Sequence, residues 1–143
     1  MRGRQTYAGF VSKINLIPKE DSCFIDLTNK MGFIPFVRTN VPQACKTIET
    51  NNNIFGYAKN PWDTTRSTGG SSGGEGGLIG SYSSPIGLGS DIGGSLRIPA
   101  EFNGLCTLKP GQRSITKLGN AYYGKFSGGI PVKSEFGVIC RSV

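Results

Sequence analysis

Two neighbouring stretches decide how the chain is read: Gly69-Gly-Ser-Ser-Gly-Gly-Glu-Gly-Gly-Leu-Ile-Gly80 and Pro85-Ile-Gly-Leu-Gly-Ser-Asp-Ile-Gly-Gly-Ser-Leu-Arg-Ile-Pro99. The first has the composition of a flexible linker. The second interleaves Ile, Leu and Pro with the glycines, so it has apolar surface to bury where a linker would be more polar. Of 22 glycines, 11 fall between Gly69 and Gly94, and glycine in packed structure means positive φ or a close approach of backbone to something. A phosphate is one such object, but the P-loop needs Gly-Lys followed by Ser or Thr, and Gly124-Lys125 is followed by Phe126. The run from Gly87 to Gly93 is one residue off the dinucleotide pattern. An oxyanion is another, held by consecutive backbone N–H groups without any side chain. Asp91-Ile-Gly-Gly-Ser95 suits that nest, with Ser95 as the attacking group.

Composition narrows the chemistry around this centre. The chain has 143 residues, the size of one domain, and no histidine. Ser-His-Asp and Cys-His catalysis and histidine-containing zinc sites are therefore excluded, so any nucleophile needs a different base. The net charge of +7 comes from 16 Lys and Arg against 9 Asp and Glu, spread without a run of adjacent basic residues. That distribution predicts a solvated surface and no nucleic-acid partner. Cys23, Cys45, Cys106 and Cys140 form no C-x-x-C pair and read as reduced, mostly structural thiols. No apolar run approaches 18 residues and the N-terminus lacks a signal-peptide core. The expectation is an intracellular protein, cytoplasmic or membrane-associated.

Outside the centre, residues 1–19 read as loop with one short extended segment, cut from a longer chain. Phe24, Leu27 and Met31 fall on a helical stripe closed by Gly32. Residues 33–37 are an apolar run suited to a buried strand, with Pro35 against a central position. Residues 41–49 can start a short helix with Pro42 in its first turn, ended by Asn51-Asn52-Asn53. Asn60-Pro61-Trp62-Asp63 is a turn. The tail from Asn120 carries Tyr122, Tyr123, Gly128-Gly129 and Pro131 before an apolar stretch, 136–139, that reads as a last strand. On its own the chain is expected to expose apolar strand edges around 33–37 and 136–139.

Gly69-Gly-Ser-Ser-Gly-Gly-Glu-Gly and Gly89-Ser-Asp-Ile-Gly-Gly-Ser-Leu-Arg-Ile-Pro99 resemble the two halves of the amidase signature, with Ser71 and Ser95 at its spacing of 24. Val37-Arg-Thr-Asn-Val-Pro-Gln43, Asn60-Pro-Trp62, Gly104-Leu-Cys-Thr-Leu-Lys-Pro110 and Gly137-Val-Ile-Cys-Arg-Ser142 are similar to the fatty-acid amide hydrolase branch of that superfamily. The resemblance implies an α/β fold, a mixed β-sheet flanked by helices and incomplete at both ends. Residues 1–143 would then be a partial amidase signature domain, with the signature core at about 66–110. It implies hydrolysis of a small-molecule amide, such as a fatty-acid amide, by a Ser-Ser-Lys triad without a cofactor or metal. Membrane association and a homodimer are open for the full-length protein.

By motif match Ser95 is the acylated nucleophile and Ser71, after Gly70, the bridging serine that the family holds through a cis peptide. Backbone N–H groups of Ile92, Gly93, Gly94 and Ser95 would bind the oxyanion. Asp91 and Arg97 would pair to fix the loop. Ser72 would bond within the triad or start a helix. Cys45 falls at a substrate-contacting backbone position, against the plainer reading of a core cysteine. Ser90 stands where the family commonly has Thr. The family's lysine lies a few residues before the position of Arg2-Gly3, and neither Lys13 nor Lys19 matches its motif. The alternatives are a catalytically inactive truncated product or pseudoenzyme, and an anion-binding module built on the Gly93-Gly94 nest.

Overall fold

A computed structural model describes residues 1–119 and 133–143. The expectations placed on Asn120, Tyr122, Tyr123, Gly124-Lys125, Gly128-Gly129 and Pro131 lie outside the described residues. Where a linker composition stands in the sequence, the chain forms helix, strand and helix in turn. We label the elements α1 (Cys23–Lys30), β1 (Asn51–Asn52), β2 (Gly56–Tyr57), α2 (Gly73–Gly80), β3 (Ile86–Asp91), α3 (Arg97–Phe102), β4 (Cys106–Leu108) and β5 (Glu135–Cys140).

The glycines of α2 cost about 1 kcal/mol each relative to alanine in a helix, and the packing explains why they are tolerated. A Cβ on Gly76 would lie 2.9 Å from Asn103 Nδ2 and 3.0 Å from Pro99 Cβ. Their absence lets α3 lie directly on α2. Behind both helices stands a three-stranded sheet in the order β3-β5-β4, with both ladders antiparallel. Ile79 of α2, Leu96 and Ala100 at α3, and Ile139 of β5 form the buried core, with Leu105 against it. The class is α/β, with helices against a sheet.

The expected strand at 136–139 forms within β5. It is the central strand, paired on both sides, with Ile139 fully buried, so it is not the exposed edge that was expected. The strand expected at 33–37 does not form. Pro35 offers no N–H to a ladder, no described strand runs alongside, and Ile34 and Phe36 stand 85% and 67% exposed.

Around residues 41–49 there is only a 3₁₀ turn, Gln43–Cys45, because Ala44 and Cys45 adopt positive φ of 61° and 53°. The asparagines after it build the β1–β2 hairpin instead of ending a helix. Helix α1 is capped by the Ser22 hydroxyl, which accepts from Ile25 N, and Gly32 follows at φ +86°. Its buried face is Phe24 and Thr28, while Leu27 and Met31 are exposed. Phe24 stacks on Phe136 of β5 at 4.6 Å. The turn at Asn60 is closed by Trp62 N donating to Asn60 Oδ1 at 2.9 Å.

Candidate active site

The loop carrying Ser71 is gripped from outside. Buried Thr50 donates to the Gly69 carbonyl at 2.9 Å and accepts from Gly73 N at 3.1 Å, spanning the loop. Gly70 lies so close to the 47–49 backbone that a Cβ would fall 2.8 Å from the Thr47 oxygen. The Gly70–Ser71 peptide is cis. Ser71 and Ser72 are both buried, and α2 begins immediately after them.

The loop carrying Ser95 runs from β3 to α3 and is held by a core anchor and a charged scaffold. The anchor is Leu96. It is fully buried, with its two methyls seated where Cβ atoms of Gly89 and Gly137 would be, at 2.6 and 2.7 Å. Those two glycines face each other across the β3–β5 ladder. The scaffold is Asp91, whose carboxylate is fully shielded and accepts from Gly94 N (2.8 Å), Leu96 N (3.1 Å), Arg97 Nε (3.0 Å) and Lys109 Nζ (3.1 Å). Burial alone would raise its pKa. The hydrogen bonds from Arg97, the two amides and Lys109 together outweigh burial and hold it well below the usual carboxylate range. Asp91 therefore stays charged and acts as a clamp.

The two loops meet through their backbones: Ser72 N donates to the Ser95 carbonyl at 3.0 Å. This brings the Ser71 and Ser95 segments together across 24 residues. Among the described residues no hydrogen bond joins the hydroxyls of Ser71, Ser72 and Ser95. Ser72 stands at the N-cap of α2 without a side-chain cap bond. Ser90 lies on β3 opposite Phe136.

The expected four-amide nest is changed at one position. Gly94 N is engaged by Asp91 Oδ1 at 2.8 Å, and Gly94 takes a φ of +131°. Among the described residues the amides of Ile92, Gly93 and Ser95 donate to no protein acceptor. Ile92 and Gly93 are exposed and Ser95 is half-buried, so three N–H groups remain for a ligand oxygen.

Cys45 is a free thiol, pushed up to about 11 by burial, so it is protonated at neutral pH and no nucleophile. Lys13 lies over the Phe10 ring at 5.0 Å and Lys19 is exposed. Among the described residues no lysine hydrogen-bonds Ser71.

Three residues that sequence reasoning left without a role shape the site. Thr50 gave no signal, being one threonine in a polar stretch. Glu75 was visible as the one acid among the α2 glycines. Its carboxylate accepts from Thr39 Oγ1 (2.6 Å) and Leu88 N (3.1 Å), tying α2 to β3. Burial raises its pKa, and those two bonds offset part of the rise. Lys109 stood inside the 104–110 segment and reaches the Ser95 loop.

The whole chain, residues 1–143, matches a family model described as Amidase. Fatty acid amide hydrolase 1 of Caenorhabditis elegans is 44% identical over 119 residues, covering 83% of this chain and 21% of that protein. Acetamidase of Emericella nidulans is 40% identical over 145 residues, covering 100% and 26%. A solved structure of fatty acid amide hydrolase superposes with a TM-score of 0.92 at 38% identity, covering 99% of this chain and 25% of that one. The chain thus spans about a quarter of the length of the relatives it matches. No helix among the described residues is long and apolar enough to cross a membrane.

Proposed function

This chain belongs to the amidase family, and from that premise we propose that the protein carrying it is a serine amidohydrolase acting on carboxylic amides, with fatty-acid or other acyl amides as the substrate class. Ser95 attacks the amide carbonyl and forms the acyl-enzyme. The three open amides of Ile92, Gly93 and Ser95 take the developing negative charge, where each donor is worth about 3 kcal/mol of transition-state stabilisation. Ser71 relays the proton from Ser95 to a lysine base and returns it to the leaving amine. In the family's order that lysine precedes the position of residue 2. Asp91 and Arg97 hold the loop and take no part in bond making.

The observation that carries this reading is the 3.0 Å bond from Ser72 N to the Ser95 carbonyl, which joins the two serine loops beside a row of unengaged amides. The similarity to a fatty acid amide hydrolase and to an acetamidase supports the substrate class. The test is hydrolysis of a fatty-acid amide by the purified protein and two variants. Ser95→Ala is expected to abolish turnover. Ser71→Ala is expected to slow it by about a hundredfold or more. Turnover that survives Ser95→Ala unchanged overturns the assignment.

A further inference from the structure

The geometry points to Lys109 as a positioning residue of the oxyanion site: its ammonium holds the Ile92–Gly93 peptide in the orientation that turns the Gly93 N–H toward the ligand. This inference rests on the Ser95 reading above. Lys109 follows β4, and its Nζ reaches across β5 to donate to the Ile92 carbonyl at 2.9 Å while pairing with Asp91 Oδ1 at 3.1 Å. In a trans peptide the C=O and the following N–H point in opposite directions. Fixing the Ile92 oxygen from the Lys109 side therefore fixes the Gly93 N–H on the other side.

Among the described residues no other group bonds the Ile92 carbonyl. Asp91 grips Gly94 N, Leu96 N and Arg97, which lie after the peptide in question. In a four-residue loop the central peptide can rotate by half a turn without moving its ends, provided the third residue accepts positive φ. Glycine at 93 accepts it, yet the observed φ of Gly93 is not positive. A rotated peptide would present the Ile92 carbonyl, an acceptor, where a donor is needed. Lys109 selects between the two states.

The selection can be tested because a Cβ on Gly93 would meet nothing within 4 Å, so alanine fits there and disfavours only the rotated form. Lys109→Met is expected to lower kcat by about tenfold to a hundredfold, a large part of one oxyanion donor, with KM within about threefold. In the Gly93→Ala background the same substitution should cost no more than about threefold. Lys109→Arg, which keeps a cationic donor for Ile92, should recover most of the rate. Lys109→Gln, polar but too short, is carried alongside in case methionine is not tolerated, with the same expectations. An unchanged kcat, or an equal loss in both backgrounds, overturns the inference. Hydrolysis surviving Ser95→Ala would instead show that the underlying reading had failed. Dead Ser95→Ala with wild-type behaviour of the Lys109 variants would sink this inference alone.

Discussion

The two serine loops reach the same place by different physics. The Ser71 loop is held by neutral groups supplied from elsewhere: the Thr50 hydroxyl, the 47–49 backbone against Gly70, and the Asn40 backbone against Gly74. The Ser95 loop is held by a buried charge of its own, Asp91, with two cations and backbone amides around it. The first loop is buried and closed. The second is open on one face, where Ile92 and Gly93 meet solvent. A loop that leaves amides unspent, as the proposed oxyanion site requires, gains its rigidity from a charged clamp set behind it. The Ser71 loop leaves no such row of amides open and can be packed on all sides.

The comparison breaks most sharply at Asp91. Asp91→Ala leaves the Gly94 and Leu96 amides without their acceptor and is expected to cost about 3 kcal/mol in urea melts. The sign of the pH effect follows from the depressed pKa. A carboxyl whose folded pKa lies below its unfolded value of about 3.9 contributes fully above that value and loses its contribution as pH falls toward the folded pKa. The gap between wild type and Asp91→Ala should be flat above about pH 4 and shrink below it. A gap that grows on acidification would contradict the clamp.

Next in size is a glycine pair. Gly74→Ala drives a Cβ into the Asn40 backbone, with Thr39 Cβ at 2.8 Å, and is expected to cost about 2 kcal/mol by overpacking. Gly93→Ala meets nothing and should stay within about 0.5 kcal/mol. Equal effects at the two sites would erase the distinction between a closed and an open loop.

Thr50→Val is the smallest of the expected losses, below Asp91→Ala and Gly74→Ala, at about 1.5 kcal/mol for a buried carbonyl and N–H left unpaired. Its size should not change between pH 3 and 7, because no titrating group enters the contact. A pH-dependent Thr50→Val gap would show that the two loops share one electrostatic scaffold.

How much of this was legible in the sequence follows from which forces act locally. The glycine-rich stretches could be read as packed rather than linker because of the apolar residues among their glycines, the roles of their serines only through the resemblance to the amidase signature, and strand β5 from its apolar stretch. Residues 33–37 carry the same apolar signal but are exposed. Hydrophobicity reports a need for burial and does not say what lies alongside. The turn at Gln43–Cys45 was hidden because positive φ at Ala44 and Cys45 is imposed by contacts such as Ala44 N on the Ala8 carbonyl. The engagement of Gly94 N by Asp91 was hidden for a related reason. It depends on where the Asp91 carboxylate points, which no spacing encodes.

The central claim is that Ser95, and no other serine of the signature, is the group these two loops activate. Reaction of the purified protein with a fluorophosphonate at neutral pH, followed by peptide mass spectrometry, tests it directly, because only an activated serine reacts under those conditions. A single adduct is expected on Ser95, one that disappears in Ser95→Ala and forms more slowly in Ser71→Ala. An adduct on Ser71, Ser72 or Ser90, or labelling of Ser95 that persists at full rate in Ser71→Ala, would contradict it.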